Sequence, residues 1–364
     1  MIKNIINYYP RAYLGNGGVT VAMWKYIEAY KKKYVNLYVA FDKNLHKEQS
    51  LVIKGVKKIK VKHHLFGGFR FPENFLKNFS EETILILHSG YLFHNMVAAF
   101  YAKNKNIKIV LIPHGAYHPN VLKKNFLLKK IFIFLESFVY KKLYLIQAFN
   151  SEDLKHLKKT FKKNKISVIP IPITIKKEKK KKNKLNKGKY FSYMGRYDIY
   201  TKGLDLLIKA YKEVPKDLRI PIILHGVDGK YGTKKDVIQL VKNENLDKII
   251  KVKGAIYGNE KDNFLSKSFM GIFLSRNDGF PIAVMEHFAK NKPCLISKEA
   301  TIWKMTKKNN LGLVTDLQIK SIKDIFCTIL KNKTTFAKIY KPKKFIEKNL
   351  NNNVINETFY KNFK

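Results

Sequence analysis

The chain has 364 residues, 45% hydrophobic and 13% aromatic, enough for two domains with separate cores and too apolar for a disordered protein. No stretch approaches the length of apolar sequence that a membrane-spanning helix needs, and the polar start Met1–Pro10 does not read as a signal peptide. The formal charge of +45, from 72 basic against 27 acidic residues, attracts anionic membranes, nucleic acid or acidic polymers without choosing among them.

A compositional bias toward Lys, Asn and Ile is a sufficient cause of much of that excess. Only Arg11, Arg70, Arg196, Arg219 and Arg276 are arginines, so an arginine at a site position is more informative than a lysine. Cys294 and Cys327 lie in apolar surroundings without a metal or redox spacing and read as reduced core residues of a cytoplasmic protein.

In chain order, Ile2–Ile6 reads as a strand, followed by the glycine loop Leu14–Val19 and an amphipathic helix through Ala22, Met23, Tyr26 and Ile27. Tyr34–Ala40 is a second strand, and Val56–Lys62 alternates apolar and basic residues as an edge strand does. Thr83–Leu87 leads into His88, and Ile107–Ile112 leads into Pro113-His114-Gly115. Leu143–Ala148 precedes Asn150, a helix cap, and Val168–Ile173 reads as the strand closing the first unit. Strands alternating with helices imply a parallel sheet covered on both faces. Gly15–Gly18, His88 and His114 then fall at strand carboxyl ends, where such sheets bind ligands.

A lysine- and asparagine-rich run from Lys176 to Lys189 reads as a solvated linker. Alternation resumes with Tyr190–Met194, a helix over Gly203–Val214, and strands at Ile220–Leu224, Ile249–Val252, Met270–Leu274, Pro293–Ile296 and Gly312–Val314. A weakly amphipathic helix at Asn353–Tyr360 ends the chain. The expected domains are 1–174, a linker 175–189, 190–345, and a tail 346–364 that returns to the first domain.

The segment Asp278-Gly279-Phe280-Pro281…Glu286 follows an apolar strand and opens a helix. Turn N–H groups and a helix N-terminus favour a phosphate, and two carboxylates can accept hydrogen bonds from hydroxyls. Together these suit a sugar nucleotide. A plainer reading makes Asp278 a helix cap and Glu286 an ion-pair partner of Lys290. Pro281 at the first helical position would make Phe280 the cap and place Asp278 too early. Upstream, Gly195-Arg196 follows a strand and Lys202-Gly203 opens a helix, a pairing able to hold a diphosphate.

Gly17-Gly18-Val19, Gly195-Arg196…Lys202-Gly203 and Asp278-Gly-Phe-Pro…Glu286, in this order, resemble family 4 of the retaining glycosyltransferases (glycosyl transferases group 1). The junction Val168-Ile-Pro-Ile-Pro172, His225-Gly-Val-Asp-Gly229 and Ala289-Lys-Asn-Lys-Pro293 support the likeness. It spans nearly the whole chain, most strongly from Gly195 to Gly312. The resemblance implies an α/β, GT-B fold: two Rossmann-like domains facing across a cleft, with the C-terminal helix packed back on the first. It implies a hexosyltransferase-class enzyme that moves a sugar from a nucleotide-diphosphate sugar to a glycan or lipid-linked hydroxyl, in cell-surface polysaccharide, lipopolysaccharide or glycolipid synthesis.

By the same resemblance, Gly17 and Gly18 let backbone approach the donor, and Arg196 and Lys202 hold its diphosphate. Gly279, Phe280 and Pro281 line the sugar–phosphate region, Asp278 binds a donor-sugar hydroxyl, and Glu286 binds the ribose. His114 matches the histidine beside the reacting sugar. Two positions depart from the family: Asp278 stands where Glu is usual, and His287 where a small residue follows the second carboxylate, with an expected effect on nucleotide-side packing. The family mechanism retains anomeric configuration without a side-chain nucleophile. The absence of an Asp-X-Asp pair at a plausible donor position fits a metal-independent reaction with no cofactor.

The acceptor-binding residues are not legible. Lys57–Phe71 and Val121–Leu143 mix aromatics with lysines, as a peripheral site at the inner face of an anionic membrane would. For the second, an ordinary helix with a solvated lysine face is the simpler reading. The competing functions are a GT-B sugar-nucleotide epimerase, which turns over without acceptor, and a non-enzymatic polyanion-binding protein. No specific nucleic-acid module is present to support the latter.

Overall fold

The computed structural model describes residues 1–12, 17–31, 35–44, 54–122, 125–141, 143–175 and 188–363, apart from the side chains of 120 and 337. The start of the expected glycine loop, Tyr34 and most of the expected lysine-rich linker lie outside the described residues. The chain divides into two compact units, Met1–Pro172 with Asn352–Lys364, and Ile173–Asn351.

The first unit contains β1 (Asn4–Tyr8), β2 (Asn36–Asp42), β3 (Val56–Val61), β4 (His63–Phe66), β5 (Phe69–Pro72), β6 (Thr83–His88), β7 (Lys108–Ile112), β8 (Leu145–Ala148) and β9 (Ile166–Val168). Seven of these strands form a parallel sheet in the order β3-β2-β1-β6-β7-β8-β9, while β4 and β5 make a separate antiparallel hairpin. All six residues of β6 are buried, as a central parallel strand requires, and β3 takes the edge its alternating lysines predicted. The expected strand Val168–Ile173 ends where it was meant to begin. Pro170 and Pro172 have no N–H for a ladder, and pairing stops at Val168.

Among the described residues, helices α1 (Gly18–Ala29), α2 (Phe93–Lys103), α3 (Pro119–Leu122), α4 (Phe126–Val139) and α5 (Ser151–Thr160) fall between these strands along the chain. Ala22, Met23, Tyr26 and Ile27 all lie on the buried face of α1. Asn150 caps α5, its side chain accepting from the N–H groups of Glu152 and Asp153. The C-terminal helix Asn352–Lys361 packs on α1: Phe359 stacks on Tyr30 with ring centroids 3.7 Å apart, and Tyr360 Oη donates to the Tyr30 carbonyl at 3.0 Å.

α4 departs from the expected lysine-faced helix. Its buried residue is Glu136, while Leu127, Ile131, Phe134 and Phe138 are exposed.

The second unit holds β10 (Phe191–Arg196), β11 (Ile222–Val227), β12 (Ile250–Lys253), β13 (Met270–Phe273), β14 (Cys294–Ser297) and β15 (Gly312–Thr315), in the order β12-β11-β10-β13-β14-β15. Its helices are α6 (Ile199–Lys202), α7 (Leu204–Lys212), α8 (Lys234–Asn243), α9 (Gly258–Lys267), α10 (Ile282–Ala289), α11 (Trp303–Lys308), α12 (Ile319–Lys331), α13 (Lys333–Ile339) and α14 (Pro342–Asn349). Phe326 of α12 packs edge-on against Tyr211 and Phe191, pinning α7 and α12 to one sheet face. Cys294 is buried and Cys327 half-buried, both free thiols. Strand order reverses beside β1 in the first sheet and beside β10 in the second, the position at whose carboxyl ends such sheets bind ligands.

Candidate active site

In the second unit the reversal lies between β10 and β13. The sequence-predicted residues gather there. β10 ends in Gly195-Arg196, and α6 carries Lys202. The loop after β13 carries Ser275, Arg276 and Asp278 before α10 begins at Ile282. Pro281 is the cap and Ile282 the first helical residue, one position later than Pro281's preference for the first helical position implied. Lys202 closes a short helical turn instead of opening the long helix.

Between α6 and α7, Gly203 adopts φ 65°, and a Cβ there would sit 1.9 Å from the Leu274 carbonyl oxygen. Only glycine allows α6 this close to the end of β13.

Arg276 fixes the same joint from the other side. Its guanidinium forks onto Asp205 at 2.8 and 2.7 Å and lies over the Tyr200 ring at 4.1 Å, while the Arg276 backbone N–H donates to the Thr201 carbonyl at 2.9 Å. Sequence reasoning gave Arg276 no role; it is a brace that holds α6 beside the β13 loop. The result is a Lys202 Nζ to Asp278 Oδ2 contact of 2.7 Å, with Ser275 Oγ 3.3 Å from the same oxygen. The turn is stitched from below: Thr301 N donates to the Asp278 carbonyl at 3.0 Å, and Thr301 Oγ1 donates to the Gly279 carbonyl.

Glu286 lies on α10 and pairs with Lys261 Nζ at 2.9 Å, while Lys290 Nζ reaches Asp262 at 3.5 Å. Lys261 was missed because one lysine among so many carries no signal in the sequence. Arg196 is half exposed and lies 3.3 Å from buried Asp198, whose other oxygen accepts from Tyr231 N at 3.0 Å.

Each cation of the site therefore faces a carboxylate. An anionic ligand would exchange one carboxylate for phosphate oxygens at little cost in desolvation. Phe280 is buried, whereas no described atom lies within 4 Å of a Cβ built on Gly279.

His287, expected to affect nucleotide-side packing, is a core residue. It is fully buried against the sheet, with Nδ1 donating to the Ala283 carbonyl at 2.7 Å and Nε2 accepting from Ser192 Oγ at 2.8 Å. Burial pushes it down to about 4, so it stays neutral.

In the first unit, Gly17 caps α1 at φ 82°, and a Cβ on Gly17 or Gly18 would meet no described atom within 4 Å. At the ends of β6 and β7 the chain brings His88 to His114, with Nδ1 and Nε2 2.8 Å apart. His88 Nε2 lies 3.1 Å from Asn7 Oδ1. With Asn7 Oδ1 accepting, His88 donates from Nε2, accepts at Nδ1 from His114 Nε2–H, and leaves His114 Nδ1 as the basic nitrogen. Burial lowers His114 to about 3 and holds His88 well below the usual range. Ser89, Tyr91 and His114 have φ of 74°, 59° and 53°, a cluster of left-handed non-glycine residues of the kind found at functional sites.

The fold is GT-B. A structure of HepE of Anabaena in complex with UDP-glucose superposes with a TM-score of 0.78 at 13% identity, covering 99% of both chains. A glycosyltransferase from Rickettsia africae gives 0.77 at 17% identity over 100% of this chain and 99% of that one. WaaG, a glycosyltransferase involved in lipopolysaccharide biosynthesis, gives 0.71 at 10% identity over 98% of both. Residues 174–350, just under half the chain, match the family described as Glycosyl transferases group 1. No match is found among curated protein sequences. The family match falls on the second unit, and the structural likeness shows the fold over the whole chain.

Proposed function

We propose that the protein is a retaining glycosyltransferase that takes a sugar from a nucleotide-diphosphate donor to a glycan or lipid-linked hydroxyl, without a metal. The observation that carries this reading is the contact of Lys202 with Asp278 at the strand-order reversal, flanked by Arg196 and Glu286. Arg196 and Lys202 neutralise the diphosphate and stabilise the charge that grows on it as the glycosidic bond breaks. Asp278, released from Lys202, accepts a hydrogen bond from a donor-sugar hydroxyl, and Glu286 accepts from the ribose. The departing diphosphate takes the acceptor proton, so no side-chain nucleophile is needed. Gly17, Gly18 and His114 keep the roles implied by the resemblance, and the first-turn N–H groups of α10 add positive potential.

HepE and WaaG support a donor of the UDP-sugar type and an acceptor of cell-surface character; both enter this reading as analogy. The setting proposed is cytoplasmic. No described helix is long and apolar enough to cross a membrane.

The test is a panel of nucleotide sugars, first by thermal shift and then by turnover with and without candidate acceptors. Stabilisation by one nucleotide-sugar class with acceptor-dependent release of nucleoside diphosphate supports the assignment. Turnover of donor without any acceptor would instead identify an epimerase.

A further inference from the structure

We propose that α4 and the β4–β5 hairpin form a single docking face that inserts apolar side chains into an anionic lipid bilayer. The proposal does not rest on the donor assignment. Amphipathic helices of globular domains bury their apolar stripe and turn polar residues outward; α4 packs Phe132, Ile133 and Val139 against the core but carries a second apolar stripe on its outer face. Leu127, Ile131, Phe134 and Phe138 are 77%, 58%, 62% and 66% exposed, and their spacing of four, three and four residues puts them on one helical face. Its buried side chain is Glu136, whose two oxygens accept from Tyr91 N and Tyr117 Oη at 2.7 Å each. Those bonds fix the rotation of the helix. Turning Phe134 and Phe138 inward would pull the carboxylate off both partners.

The hairpin extends this face. Gly67 and Gly68, at φ 56° and 78°, form its two-residue turn, and Leu65 and Phe66 beside it are 73% and 77% exposed. Phe69 joins hairpin to helix, with its ring 6.3 Å from Phe132 of α4 and 5.0 Å from Phe93 of α2. An exposed apolar patch of this continuity marks an interaction surface.

Charge selects the partner. Residues 54–72 contain no carboxylate side chain and 93–141 contain only the buried Glu136; Glu73, directly after the hairpin, is paired with Lys62 and His64 at 3.1 and 2.9 Å. Exposed Lys58, Lys60, Lys62 and Lys130 lie on the same two segments. A second copy would bring two chains of net charge +45 together, and interface cores are depleted in lysine. Nucleic acid would meet the lysines but give the leucines, isoleucine and phenylalanines nothing to enter. An anionic bilayer satisfies both: headgroups for the lysines, acyl chains for the apolar residues.

The test is flotation of the full chain with vesicles of phosphatidylcholine alone or mixed with phosphatidylglycerol, beside sedimentation to fix the oligomeric state. The wild type should float with the anionic vesicles at least ~10-fold better than with neutral ones. The doubly substituted variants Ile131→Asp/Phe134→Asp and Leu65→Ser/Phe66→Ser should each lose ~10-fold or more of that binding. Both pairs are exposed, so unchanged melting temperatures will show intact folds. Three results would overturn the proposal: no lipid-dependent flotation, flotation insensitive to both double substitutions, or a dimer dissolved by them without lipid binding. None of these would bear on nucleotide-sugar binding, which is read separately.

Discussion

Lys202 Nζ and Asp278 Oδ2 meet at 2.7 Å across 76 residues of sequence, with both side chains less than one-fifth exposed. A cation assigned to phosphate and a carboxylate assigned to a sugar hydroxyl thus neutralise each other when no donor is bound. Aspartate, one methylene shorter than the family's usual glutamate, makes this contact with Ser275 as a second partner.

Asp278→Ala leaves Lys202 without its counter-charge in a partly desolvated place. The ligand-free protein should lose roughly 1–2 kcal/mol of stability, seen as a lower Tm. By titration calorimetry a nucleoside diphosphate should bind no more weakly than to wild type, because its phosphates replace the missing charge. The nucleotide sugar should bind ~10-fold more weakly, having lost a charge-assisted hydrogen bond. Lys202→Ala should weaken both ligands. Equal loss of both in Asp278→Ala would show that Asp278 does not distinguish the sugar.

Gly203→Ala tests the joint that positions Lys202. The left-handed φ and the 1.9 Å approach to the Leu274 carbonyl leave no place for a Cβ. The cost should be at least ~2–3 kcal/mol, read in a denaturant titration, with donor binding impaired in whatever folds. A variant of native stability would mean that α6 has other ways to pack.

Glu136 gives a pH signature. Burial raises it to about 7 from an ordinary 4.5, so the folded state holds a proton that the unfolded state releases between those values. Stability falls as pH rises through this window and levels off above it. Glu136→Gln removes the effect: relative to wild type it should show no gain near pH 4.5 and roughly 2–3 kcal/mol above pH 7. Thermal unfolding from pH 4 to 8 reads the difference, and a gain independent of pH would contradict it.

His114 is held neutral: as pH falls below about 6.5 the unfolded state binds a proton that the folded state refuses until about pH 3, so stability falls, the opposite sign to Glu136. His114→Ala should lower turnover by about 10²–10³-fold while leaving the thermal shift from a nucleoside diphosphate unchanged. Wild-type turnover should show no inflection between pH 5 and 8 traceable to this residue. Full turnover in the variant would reduce the His88–His114 contact to packing.

The central parallel strands were readable as short apolar runs and the edge strand β3 by its alternation, whereas the β4–β5 hairpin was not read as strands. The strand over Val168–Ile173 misled because its apolar residues alternate with prolines that cannot join a ladder. Arg196 and Asp278 stood out in the sequence: an arginine is rare here, and the Asp-Gly-Phe-Pro turn is distinctive. Lys261 did not stand out, because its pairing with Glu286 depends on how α9 packs beside α10. The outward face of α4 was hidden for a similar reason. Periodicity defines a stripe but not the direction it faces, and this helix is apolar on both faces, its inner one set by Glu136 with Phe132, Ile133 and Val139.

The most direct test of the central claim is the thermal shift given by a stabilising nucleotide sugar to wild type, Arg196→Ala and Glu286→Ala. At about 100 times Kd the ligand should contribute about 2.7 kcal/mol, a rise of several degrees in the wild type. Both variants should stay folded without ligand, melting a few degrees lower at most for the lost ion pair, and lose nearly all of that rise. If both keep the full shift, the donor is not held by Arg196 and Glu286, and the site lies elsewhere.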